Sequence, residues 1–336
     1  MSDARTRASL ALGGVWLASV LVLAAVLLAA FRLGFAEDVA TLLTANGVRA
    51  AFAAGAGALL ALAGALRQLG PGERPLRELE WLGATAGAAG GGFAAAQAFG
   101  AVPALLAFAV GAALGGGAGW RAALLLDRAE RPSNLLALVF VAAGIGVAAL
   151  AGTYARARRD VVATLVAWLL GDLSRASATG AVLLLAAAAL GVAAGTRALG
   201  RGRGDEAAWL ALGLGVGAAG PLVFVGSFVP RAVRWLAPAA PRTGQLAATA
   251  AAGGATVAAI DAVPRLLVGG YDFPFCVAAS LVAIPIFGGW NRNRLRRQVG
   301  GAGIAFEAFE LGVIVLGTLA GAALAFELAR VIRTAT

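Results

Sequence analysis

Apolar runs of about 20 residues follow one another along almost the whole chain, the length an α-helix needs to cross the roughly 30 Å hydrocarbon core of a bilayer. No water is available inside that core, so a crossing segment must satisfy its own backbone groups, and a helix of this length does so. The composition agrees: 60% of the 336 residues are hydrophobic and 13% charged, against about 45 to 50% and about 25% in soluble domains. The expected fold is all-α, a polytopic transmembrane bundle of about 10 to 11 spanning helices, some short or broken. Little length remains for a large soluble domain.

The residue types that are missing exclude most chemistry. All 27 basic residues are Arg, and His is absent too. Without Lys there is no phosphate-loop lysine and no Schiff base, and without His no imidazole base or metal ligand. No catalytic residue, cofactor or metal centre is therefore expected, and the chain reads as a non-enzyme. Cys276 has no partner for an internal disulfide and reads as a small core residue. A net charge of +10 suggests nucleic acid in a soluble protein; in a membrane protein Arg collects in cytoplasmic loops instead, and nucleic acid is not an expected partner. Gly215, Gly217 and Gly220 match a dinucleotide-binding spacing, but neither a preceding strand nor a ribose-binding acid accompanies them.

The first run, Ser9 to Phe31, is too long for a signal-peptide core and reads as a retained helix. Helices follow at about Val48 to Leu66, Trp81 to Phe99, Val102 to Trp120, Asn134 to Tyr154 and Thr179 to Leu199. The third and fourth are joined by a short turn and must form a hairpin. Val161 to Leu170 suits an interfacial or re-entrant helix. Between Ala207 and Trp235 the run is too long for one helix and too short for two full ones, and Gly220, Pro221 and Pro230 interrupt it, which favours two short segments. Thr243 to Leu267, Pro274 to Trp290 and Gly303 to Ile332 complete the set. Alternation from a cytoplasmic N-terminus places about twice as many Arg inside as outside, which fits a multi-pass protein of the cell membrane in that orientation. Gly residues concentrated inside the runs predict close helix packing.

Several strings stand in the order found in permease subunits of ABC importers for iron-siderophores, haem and cobalamin, and the chain resembles that family over residues 46 to 290. Asn46-Gly47-Val48-Arg49 is similar to R-L-P-R, and Glu73-Arg74-Pro75-Leu76 through Gly83-Ala84 to R-N-P-L-A-x-P-x-x-L-G. Trp168-Leu169-Leu170-Gly171 resembles W-L-L-G. Gly220-Pro221-Leu222-Val223-Phe224-Val225-Gly226, ending Val229-Pro230-Arg231, resembles G-P-I-G-F-V-G-L-I-V-P-H. Asp261 and Arg265 fit A-D-x-x-A-R, and Asp272-Phe273-Pro274 to Pro285-Ile286-Phe287 fits E-L-P-x-G to A-P-x-F. The departures are Asn46, Arg74, Arg231 and Cys276, where the family carries Arg, Asn, His and Gly. Residues 204 to 208 resemble the start of a family element before the coupling helices, and about fifteen residues after it are missing.

The resemblance implies a permease domain over 1–290, followed by a basic linker and an extra C-terminal helix over 291–336. It implies import of an iron-siderophore, haem or cobalamin-type chelate, with a separate ABC ATPase, an extracytoplasmic substrate-binding protein, and a second permease copy, identical or different, as partners within membrane lipid. It assigns Arg49 and Arg265 to binding-protein docking, Gly204, Asp205, Glu206, Ala207 and Ala208 to ATPase coupling, and Gly220, Pro221, Phe224, Gly226 and Pro230 to the translocation path. Spacing alone pairs Asp261 with Arg265 at i+4 as a structural ion pair. Two alternatives stay open: a non-coupling scaffold or inert half of a heterodimer, and an ion-coupled carrier using Asp261, with Glu307 and Glu310 behind it.

Overall fold

The computed structural model describes residues 2–32, 46–70, parts of 83–95, 110–121, 167–168, and 171–267 apart from 172, 174, 175 and 221. All of these lie in one compact unit, Met1–Asp272. The helices expected at 134 to 154, 274 to 290 and 303 to 332 lie outside the described residues, as does most of the interfacial segment at 161 to 170 and the whole of 291–336.

Six helices run in full among the described residues: α1 (Ser2–Arg32), α2 (Val48–Leu69), α3 (Ala178–Gly200), α4 (Gly204–Ala219), α5 (Val223–Leu236) and α6 (Arg242–Leu267). At 1.5 Å per residue α2, α3 and α6 are about 33 to 39 Å long, enough to cross a bilayer, whereas α4 and α5 reach only about 21 to 24 Å. The apolar run at 207 to 235 is thus two short helices. Helix α1 begins seven residues before its apolar run, so its first two turns carry Asp3, Arg5 and Arg7.

Helix α2 is the centre of the bundle. Every residue from Ala53 to Gln68 is buried, on all sides of the helix. A stretch rich in Ala, Gly and Leu can be buried all round because small side chains let several neighbours approach at once. Leu184, Leu62 and Leu66 pack where Gly55, Gly191 and Gly195 lack side chains, at a constant offset that makes α2 and α3 parallel. Gly57 and Gly253 meet back to back where α6 crosses α2 antiparallel.

Two further helical stretches carry a glycine zipper. A Cβ at Gly119 would collide with the Gly83 carbonyl, one at Gly115 with that of Gly87, and one at Gly111 with that of Gly91. The residue numbers of each pair run in opposite directions, so these stretches pack antiparallel, as the expected hairpin requires; the turn itself lies outside the described residues.

Candidate functional site

At one end of the bundle Arg49, in the first turn of α2, meets Asp261 of α6. The guanidinium donates from Nε to Oδ2 at 2.9 Å and from Nη2 to Oδ1 at 2.8 Å, a two-pronged match of planar fork and carboxylate. The side chains are only 12% and 4% exposed. A positive charge in the first turn of a helix opposes the helix dipole, so Arg49 gains from a carboxylate brought to it by another helix. Asp261 was expected to pair locally with Arg265; the structure gives it a partner 212 residues away. Arg265 lies on α6 with its side chain outside the described residues. Arg49, which the resemblance assigns to docking, has its fork committed to Asp261.

The opposite end holds a second interhelical pair. Arg67, in the last turn of α2, donates from Nη1 to Oδ1 of Asp205 in the first turn of α4 at 2.7 Å. Here both charges suit their helix dipoles. The Arg67 guanidinium also stands over the Trp120 ring, 5.8 Å from its centroid, which ties the glycine hairpin to the same end. Arg203 donates from Nε to Glu206 Oε2 at 2.7 Å at the surface. That hydrogen bond, and then the attraction of the carboxylate, raises the pKa of Arg203 above its ordinary value. Of the coupling candidates, Gly204 and Ala208 are buried, Asp205 and Ala207 half-buried, and Glu206 exposed. The two carboxylates are engaged within the chain by Arg67 and Arg203.

Between these ends lies the break between α4 and α5. Gly220 has φ of 78°, a conformation costly for residues with a Cβ, and its N–H donates to Val216 O at 2.9 Å. Trp168 Nε1 donates to the same carbonyl at 2.9 Å, and a Cβ at Gly220 would strike the Trp168 carbonyl oxygen. The W-L-L-G and G-P strings, 52 residues apart between Trp168 and Gly220, therefore form one unit in space.

In α5, Pro230 offers no N–H to the Gly226 carbonyl one turn earlier. That carbonyl points instead into the space left by the missing side chain of Gly64, at a close approach of the kind that Cα–H···O contacts favour. Gly226 and Pro230 are both buried. The cleft beside Pro230, lined by Ala65, Gln68, Leu69, Arg234, Gln245 and Thr249, has about 10 Å³ of free volume, room for one water and not for a chelate. Among the described path candidates, then, Gly220, Gly226 and Pro230 are engaged in helix packing. Phe224 lies on α5 with its side chain outside the described residues, and Pro221 lies outside them altogether.

The α5–α6 turn was not singled out by the sequence. It sits at the Arg67 end, because Arg234 Nη1 donates to Gln68 O at 3.2 Å. Gln245 Nε2 donates to the carbonyls of Ala237, Pro238 and Ala240, capping the turn. Trp235 and Leu236 stand 70% and 51% exposed beside it. The signal available was Trp-Leu followed by Ala-Pro-Ala-Ala-Pro, an apolar pair stranded at a helix end. Leu12 of α1 packs at Gly244, so the N-terminal part of α1 reaches this end as well.

These features define a polytopic α-helical transmembrane protein with a central helix held at both ends by charge pairs. By fold, the chain is similar to a solved structure described as an inward-facing conformation of a candidate metal-chelate type ABC transporter, with a TM-score of 0.61, 19% identity, and coverage of 83% of this chain and 98% of that one. At that identity the likeness is one of fold. No protein-family description and no curated protein matches the chain.

Proposed function

We propose that the chain is the transmembrane permease subunit of a binding-protein-dependent ABC importer, and that its cargo is a metal chelate of the iron-siderophore, haem or cobalamin type. The observation that carries the reading is the fold likeness to the metal-chelate type transporter, which spans 98% of that chain. The ordered strings from Asn46 to Phe287 agree with it independently. A permease does no covalent chemistry, in keeping with a chain that lacks both Lys and His.

The Arg67 end is the cytoplasmic end in this reading. Arg67, Arg197, Arg201, Arg203, Arg234 and Arg242 all lie on helix ends or turns there, as the positive-inside tendency requires, and the N-terminal part of α1 reaches the same end. The ATPase meets the bundle there, at the α3–α4 turn with Glu206 and at the exposed Trp235 and Leu236. Arg49 and Arg265 belong to the opposite, extracytoplasmic end, where a binding protein presents carboxylates. Docking at Arg49 then means that an incoming carboxylate shares or replaces Asp261. Gly220, Pro221, Phe224, Gly226 and Pro230 flank the path through the packed break between α4 and α5.

The test is to purify the tagged chain from its native membrane in mild detergent and identify what accompanies it. An ABC ATPase in near-stoichiometric amount is expected, with a second permease chain, identical or different, in the same particle. Absence of any ATPase, under conditions that keep a control importer assembled, would refute active import.

A further inference from the structure

Helix α3 presents a continuous stripe to the outside of the described bundle. Leu183, Ala186, Leu190, Ala193 and Arg197 follow at three- and four-residue steps, which puts them on one helix face. All are exposed, Leu183 by 63% and Leu190 by 69%. The opposite face, including Ala181, Leu184, Ala188, Gly195 and Leu199, is buried. From Leu183 to Arg197 the stripe runs about 21 Å, apolar until its last residue. Arg201 follows one turn further on, also exposed.

Neither Arg197 nor Arg201 has a side-chain hydrogen bond or ion pair among the described residues, whereas Arg203 holds Glu206 and Arg67 holds Asp205 close by. An apolar stripe on the outside of a membrane bundle faces acyl chains, and Arg at its end reaches headgroup depth. A guanidinium matches phosphate with two parallel hydrogen bonds, and two of them leave net positive charge after one phosphate is bound. A zwitterionic headgroup brings its own cation and loses that advantage. Apolar continuity along the stripe and positive charge at its end therefore favour a lipid of net negative charge as the occupant.

We propose that Arg197 and Arg201 hold the headgroup of an anionic phospholipid whose acyl chains lie along Leu183 and Leu190. The proposal rests on the membrane-spanning fold and not on import, so the copurification result neither supports nor damages it. The full-length protein, purified in detergent, is incubated with phosphatidylglycerol and phosphatidylcholine of matched acyl chains, and bound lipid is counted by native mass spectrometry. Retention of phosphatidylglycerol should exceed that of phosphatidylcholine by on the order of tenfold. The exposed double variant R197Q/R201Q should bring the two to parity, while R242Q, an exposed Arg of the same end but off the stripe, should leave the preference intact. R197K/R201K keeps the charge without the planar fork and should fall between. Equal retention by the unaltered protein, a preference that survives R197Q/R201Q, or a dimer sealing this face and excluding both lipids would each overturn the assignment.

Discussion

A guanidinium and a carboxylate withdrawn together from water hold α2 to α6, and each depends on the other. Removing one partner of a buried pair typically costs about 3 kcal/mol or more, because the remaining charge stays desolvated. Asp261→Asn should therefore lower the melting temperature in detergent by several degrees. The exchanged pair R49D/D261R should recover most of the loss, and it places a negative charge at the start of α2, where the helix dipole favours it. A swap no more stable than the single variant would show that the pair is not what joins these helices. The same swap separates stability from the proposed docking role: under the import reading, a stable protein that fails to capture a substrate-binding protein would assign Arg49 to that interface. Asp261 was legible in the sequence as a buried charge needing a partner, and Arg265 at i+4 was the partner that spacing could offer. Arg49 was not legible in that role, because nothing local says that residue 49 and residue 261 share a bundle end. Asp205 was likewise legible as a loop acid, while its engagement by Arg67 depends on how α2 and α4 pack.

Helices whose ends carry chemical punctuation were the readable elements. Ser177 caps α3 by accepting from Gly180 N at 3.1 Å, and the apolar run from Thr179 marked that helix to within a residue at each end. The start of α1 was missed because its first turns are polar and lie outside the apolar run that marked it. Between α4 and α5 the break was legible from Gly220, but its brace by Trp168 was not, since an indole N–H finding a carbonyl is a tertiary event. Close crossings have a sharper signature, and Gly64 supplies the test. A methyl group there would occupy the position of the Gly226 carbonyl oxygen, so Gly64→Ala must push α5 off α2. The expected result is a loss of well over 1 kcal/mol, seen as a lowered melting temperature and a broadened size-exclusion profile. Gly14→Ala in α1, with nothing within 4 Å of the added atom, should instead be neutral or stabilise by up to about 1 kcal/mol through helix propensity. If both behave alike, the α2–α5 crossing is looser than the Gly64 contact requires.

At the scale of the whole molecule, helix directions tie distant loops to common ends. Helices α2 and α3 run parallel, α6 runs against α2, and α4 and α5 go in from and return to the Arg67 end without crossing. The turn at 201–203 and the turn at 237–241 must then lie on one side of the membrane, and the start of α3 on the other. Two short helices in place of one are what permit this: a single continuous span over 204 to 236 would carry the 237–241 turn across. Single cysteines test it in a background where Cys276 is replaced by Ser. Gly200→Cys and Ala239→Cys should react with a membrane-impermeant maleimide only in inside-out vesicles, and Ala178→Cys only in right-side-out vesicles. All three positions are exposed or lie in a turn, so the readout is sidedness rather than burial. Labelling of 200 and 239 from opposite sides would mean that α4 and α5 span the bilayer as one broken helix. Labelling of 178 and 200 from the same side would remove α3 from the membrane altogether. If the expected pair is protected in intact cells as well, the basic end faces the cytoplasm, the side on which the proposed import reading puts the ATPase contact.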